Sequence, residues 1–167
     1  MAKRGGVAGV SHAAPKYYFS DRAALLTAVA AQGFAELAGS LRQVPPALAP
    51  MGHAYITFAL ANPALFDLMF RPSELHPADP DLRHAEEDAV GVLDAAVAAA
   101  EAPREDSCTA PGELTMISWA LAHGLAVLTR DGALESASRA GQSGSAELAC
   151  HLVDVFTQRL TQEHAQP

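Results

Sequence analysis

Cysteine is nearly absent. The 167-residue chain has two, Cys108 and Cys150, far apart and in no paired motif. That argues against a disulfide framework, and it fits a reduced, cytoplasmic protein. Long hydrophobic runs are missing too. The longest uncharged helical stretch, Leu114–Thr129, has sixteen residues and includes Ser118 and His123. This is short of the roughly 20 residues that cross a bilayer, so a buried or interface helix is expected and no membrane partner. The N-terminal MAKRGGVAGV is basic but has no apolar stretch of signal-peptide length. Catalytic signatures are also lacking: there is no glycine-rich phosphate loop and no nucleophile elbow. The seven histidines show no close metal spacing. His76 and His84 lie near Asp79, Asp81, Glu86, Glu87 and Asp88, which reads as a solvated acidic helix start, since acidic groups favour helix N-termini. Ser107, Thr109 and Ser118 read as capping or core residues. The expectation is no enzyme, no metal and no cofactor.

Alanine is abundant. It supplies 36 residues, while aromatics make up only 6% and charged residues 18%. Alanine-rich sequence with few β-branched runs points to helix, and 50% apolar content at this length supports one folded core. No segment alternates with strand period. Proline and glycine divide the chain. Ser11–Phe19 reads as a short helix. Ser20-Asp21 opens a longer one with Ala24, Leu25, Ala28, Val29, Phe34, Leu37, Ala38 and Leu41 at helical spacing, stopped by Pro45-Pro46. The next runs from Pro46 to Ala61, with Met51, Tyr55, Phe58 and Ala59 on one face. Asn62 as cap and Pro63 as first residue start a short helix to Phe70. After a proline-rich loop over 72–80, Asp79-Pro80 repeats the signal, and that helix extends to Ala102. Residues 103–111 are a polar connector. Gly112–Arg130 is the most hydrophobic helix, 132–144 a mobile linker, and Ala146–Gln162 the last helix.

Charge is unevenly spread. Residues 1–44 carry five basic and two acidic groups, a net of +3; residues 45–167 carry six basic and 17 acidic, a net of −11. A basic head on an acidic body limits any contact with nucleic acid to the head. The stretch Ala8–Leu26 reads as a turn at Gly9, a short helix, then a capped longer helix. In a helix-turn-helix the second helix enters the major groove. Small residues Ser11 and Ala13 allow close approach there. His12, Lys16, Tyr17 and Tyr18 supply donors to bases and phosphates, and Arg22 stands in the first turn of the following helix. The plainer alternative is a short helix with surface tyrosine and lysine.

This stretch resembles the recognition helix of TetR-family transcriptional regulators. The shared residues are Ala8-Gly9-Val10-Ser11, the aromatic pair Tyr18-Phe19, and Asp21-Arg22 with Leu25-Leu26. Trp119-Ala120-Leu121-Ala122-His123-Gly124-Leu125 resembles the Trp…His-Gly signature of one class of TetR C-terminal domain. The resemblance runs from residue 8 to the C-terminus. It implies an all-α, TetR-like bundle: a helix-turn-helix head with its connecting helix over 1–42, and a ligand-binding and dimerisation domain over 43–167. It implies double-stranded operator DNA as a partner of Ser11, His12, Ala13, Lys16, Tyr17, Tyr18 and Arg22. Lys16 stands where the family usually has tyrosine. Only ten residues precede Ser11, and Gly5-Gly6 weaken a helix among them, so the head reads as truncated.

The resemblance further implies a pocket among the central helices for a small apolar ligand. Its candidate lining is Tyr55, Phe58, Phe66, Met69, Phe70, Trp119 and His123, each of which could equally be plain core. Trp119 and His123 are four apart on one helix, so they share a face and should touch. The last two helices, too apolar for a small bundle to cover, are expected to form a homodimer. The function expected is ligand-responsive transcriptional regulation, as a repressor. The alternative is a dimeric small-molecule-binding module with no working DNA head.

Overall fold

The computed structural model describes residues 21–100, 112–137 and 144–163. Seven α-helices occupy these residues: α1 Arg22–Arg42, α2 Leu48–Ala61, α3 Pro63–Met69, α4 Pro80–Ala100, α5 Glu113–Arg130, α6 Ala133–Ala137 and α7 Ser145–Glu163. A single 3-10 turn, Pro72–Glu74, links α3 to α4, and there is no strand among the described residues. The expected short helix over 11–19 and the connector over 103–111 lie outside the described residues.

Local chemistry sets the boundaries. Asp21 caps α1, its Oδ1 accepting the Ala24 amide at 2.8 Å. That amide, then His76 beside it, holds the Asp21 carboxyl below its usual range. Asp79 caps α4 by accepting the amides of Asp81 and Leu82 at 3.0 and 3.1 Å. Asn62 departs from expectation. Its side chain makes no capping bond to α3; its Nδ2 donates back to the Phe58 carbonyl at 3.1 Å. Backbone and side-chain N–H of Asn62 thus both donate to the Phe58 carbonyl in the last turn of α2, while Pro63 spares α3 one N–H. Gly132, at φ +71°, closes α5 in a left-handed turn that L side chains rarely adopt. The sequence from 132 was expected to be linker, but Ala133–Ala137 forms a helical turn, with Leu134 buried against the core. One anchoring leucine is enough to order a short alanine-containing segment there.

The core forms where α1 lies against α4 and α3, and where α2 packs between α1, α5 and α7. The inward stripe of α1 is Thr27, Ala30, Gly33, Phe34, Leu37, Ala38 and Leu41. Ala28 and Val29, expected on that stripe, are exposed. By length and composition Arg22–Arg42 could cross a membrane, but its apolar face is buried against the bundle. Thr27 is satisfied: its hydroxyl donates to the Ala23 carbonyl and accepts the His76 amide. Two glycines permit close helix contact. A Cβ on Gly33 would fall 2.8 Å from Met69 Sδ, and one on Gly52 would fall 2.7 Å from Val153 Cγ1. The first lets α3 press on α1, and the second lets α7 press on α2.

Candidate functional site

Helices α2, α3 and α5 bring five aromatic rings together. Phe66, almost wholly buried, stacks on His123 with ring centres 5.2 Å apart and planes 29° apart. Phe70 meets His123 edge-on at 4.5 Å, and Phe66 and Phe70 touch at 4.9 Å. Tyr55 meets Phe66 edge-on at 5.7 Å. Trp119 lies 5.8 Å from His123, the contact expected from their spacing. Edge and offset arrangements of this kind suit the ring quadrupoles.

A chain of hydrogen bonds runs through the rings. Trp119 Nε1 donates to the Tyr55 hydroxyl at 3.3 Å, and that hydroxyl lies 2.9 Å from His123 Nδ1. The indole can only donate. Tyr55 therefore accepts from Trp119 and donates its one proton to His123. That assigns His123 as neutral, with its proton on Nε2. Burial lowers the His123 pKa first, and the charge of Arg130 adds to this. Burial pushes the Tyr55 phenol well above its usual value. Both effects preserve the neutral chain. Outside the rings Arg130 pairs with Asp67, tying the end of α5 to α3.

Of the seven candidate ligand residues, the structure gathers Tyr55, Phe66, Phe70, Trp119 and His123 into this cluster. Phe58 and Met69 are buried elsewhere in the core, Met69 against Gly33. The cluster is filled by its own rings. Free space lies on the other side of Tyr55 and Trp119: a partly open cavity of about 30 Å³ between α1, α2, α4, α5 and α7. Its wall includes Met51, Gly52, Ser118, Leu121, Ala122 and Val153. The Ser118 hydroxyl is buried there with no hydrogen-bond partner among the described residues. Sequence reasoning gave Ser118 only a capping or core role; its place four residues before Ala122, on the inward face of α5, was the available signal. A second, open cleft of about 600 Å³ lies between the end of α1 and α4, with the Arg42–Asp88 ion pair among its lining residues.

Of the candidate DNA-contacting residues, Ser11, His12, Ala13, Lys16, Tyr17 and Tyr18 lie outside the described residues. Arg22 is exposed at the start of α1 and pairs with Glu74 at 3.0 Å. Beside it Asp21 meets His76 at 3.3 Å, so the 3-10 turn after α3 clasps the start of α1. Among the described residues no three His, Cys, Asp or Glu side chains group as metal ligands. Asp88 is instead paired with Arg42, which keeps its carboxyl below the usual range.

One outer surface remains apolar. Met116, Ile117, Ala120 and Leu128 are exposed along one stripe of α5, and α7, packed beside it, exposes Val155.

Comparison with known proteins adds three findings. Residues 48–156 match the family described as Tetracyclin repressor-like, C-terminal domain. A solved structure of a protein of unknown function from Rhodococcus sp. RHA1 is similar, with a TM-score of 0.66 and 29% identity. The similarity covers 90% of this chain and 79% of that one. No curated protein matches.

Proposed function

The chain belongs to the Tetracyclin repressor-like family, whose C-terminal domain spans most of its length, and from that premise we propose a ligand-responsive DNA-binding regulator acting as a repressor in the cytoplasm. The observation that carries this reading is the family match over residues 48–156. The head is residues 1–42 with its connecting helix, and the body is 43–167. Ser11, His12, Ala13, Lys16, Tyr17 and Tyr18 meet operator DNA, and Arg22 meets a phosphate. The body dimerises through α5 and α7, whose exposed Met116, Ile117, Leu128 and Val155 would otherwise meet water. A two-fold dimer sets its heads on half-sites about 34–36 Å apart.

The mechanism is a population shift. A ligand that prefers one body state over the other moves the heads away from that spacing, and only unequal affinity for the two states can do so. The clasp of Asp21, Arg22 and Thr27 to residues 74–76 supports a route from α3 to the head. Movement of Phe66 and Phe70 would draw on the same segment.

The test is binding of the full chain to pooled fragments of its host's DNA at low and moderate salt. A sequence-selective fraction that survives moderate salt is expected. Lys16→Ala and Arg22→Ala should each weaken binding broadly and reduce the salt slope by about 1. An unchanged slope in both would remove the phosphate assignment. Binding wholly lost on adding salt would leave non-specific attraction to the basic head. Light scattering at micromolar concentration should give a dimer mass; a monomer would sink the interface.

A further inference from the structure

We propose that the cavity beside Trp119 receives a small neutral molecule, mostly apolar and carrying one hydroxyl or carbonyl group, with Ser118 Oγ as its hydrogen-bond partner. The proposal rests on reading the body as a ligand sensor and adds the chemical class of what it senses. No charged side chain lines this cavity. A charged ligand would give up its hydration there and meet no counter-charge, so neutral ligands are favoured.

The polar groups of the wall can be accounted for one by one. Trp119 N–H is committed to Tyr55, and the Tyr55 proton to His123. The Thr157 hydroxyl donates to the Asp154 carbonyl at 3.0 Å. Ser118 is left. A serine inside a helix ordinarily bonds the carbonyl four residues earlier, as Thr27 does to Ala23 on α1. Ser118 does not, although its oxygen is buried. An unmet buried hydroxyl is destabilising, so it is a poor choice for pure packing. Thr129 is the other such hydroxyl, but it lines neither the cavity nor the cleft. One free donor-acceptor group on an otherwise apolar wall is the complement of a ligand with one polar group.

The space of about 30 Å³ suits a water as it stands, and a benzene ring needs roughly 150 Å³. Entry therefore requires side chains to move. Met51, with three rotatable bonds, and the half-buried Leu48 and Leu93 stand on the wall.

Trp119 is the only tryptophan in the chain, so its emission reports a ligand entering this cavity without interference from a second indole. The experiment titrates the full chain with four probes of one shape: benzyl alcohol, ethylbenzene, benzoate and benzylammonium. Benzyl alcohol should give a saturable change, about fivefold tighter than ethylbenzene and more than roughly tenfold tighter than either ion. Ser118→Ala should erase the preference for alcohol while keeping the ethylbenzene response, and Ser118→Thr, which retains a hydroxyl, should keep the preference. Equal binding of alcohol and ethylbenzene, insensitive to Ser118→Ala, would overturn the proposal. So would preference for an ion, or no saturable response to any probe, which would leave a cavity that holds water only. These outcomes are separable from the fate of the regulator reading. A chain that selects DNA but ignores the probes loses only this inference; one that binds benzyl alcohol but no DNA loses only the regulator.

Discussion

The two sides of Tyr55 and Trp119 are built differently. Towards α3 lie Phe66, Phe70 and His123, where rings pack on one another and Trp119 Nε1, the Tyr55 hydroxyl and His123 Nδ1 each have a partner. Towards α7 lies the cavity, where Ser118 has none. The same two side chains thus wall a saturated region and an unsaturated one. Saturation makes a region rigid and costly to alter, because each ring and hydrogen bond supports the next. The unsaturated side gives up stability and keeps room for something else. In this protein the division teaches where to test for response: the aromatic cluster packs three helices together, and the cavity beside it is where the proposed ligand would act.

The sharpest way to break that comparison is on the saturated side. Phe66→Ala removes a buried ring that contacts Tyr55, Phe70 and His123. A loss of about 3–5 kcal/mol is expected in urea unfolding. A loss under about 1 kcal/mol would mean that the cluster collapses readily and is no more rigid than the cavity. Tyr55→Phe is subtler. It keeps the ring but strands the Trp119 N–H and the His123 acceptor, and should cost about 1–3 kcal/mol, with Trp119 emission shifting in the folded state.

Acid tests the same chain of bonds. Protonated His123 would carry a donor at Nδ1, facing a Tyr55 hydroxyl already accepting from Trp119. Tyr55 and Trp119 meet the ring from α2 and α5, Phe66 and Phe70 from α3, and Arg130 with its partner Asp67 supplies the nearby charges. The His123 pKa is depressed in the folded state, so its contribution is present above the unfolded value of about 6.5 and is lost as pH falls through the folded value. The urea midpoint should fall between pH 7 and pH 5, and the fall should shrink in His123→Gln. An identical fall in both proteins would take the effect away from His123. The carboxyls of Asp21 and Asp88, also depressed, act only at lower pH.

How much of this was legible in the sequence depends on distance along the chain. Helix starts at Asp21 and Asp79 and the stop at Gly132 are local chemistry, and their residues declare it. The contact of Trp119 with His123 follows from helical spacing alone. Asn62 misled because its amide can serve either helix, and only geometry shows that it turns back to Phe58. The seven candidate pocket residues follow from the family resemblance and are mostly large and apolar. That property marks filled core as readily as empty space; Tyr55 and Trp119 line the cavity, and Phe66, Phe70 and His123 pack on one another beside it. Ser118 is inconspicuous in the sequence for the opposite reason. A serine in a helix ordinarily bonds its own backbone, and the absence of that bond appears only when α2, α4 and α7 enclose it.

The smallest expected effect has the opposite sign from the others. Ser118→Ala removes a buried hydroxyl with no partner and replaces it with the best helix former. The protein should gain about 1 kcal/mol, read as a melting temperature higher by roughly 2–4 °C. Tyr55→Phe, a few ångströms away through Trp119, deletes a hydroxyl and should lose stability. Two hydroxyl deletions flanking one indole, moving the protein in opposite directions, would establish the division between saturated and unsaturated sides. If Ser118→Ala instead lowers stability, its oxygen is bonded in the folded protein, to a water or to the carbonyl of Leu114. The cavity would then be as saturated as the cluster, and the comparison would fail at the residue on which it turns.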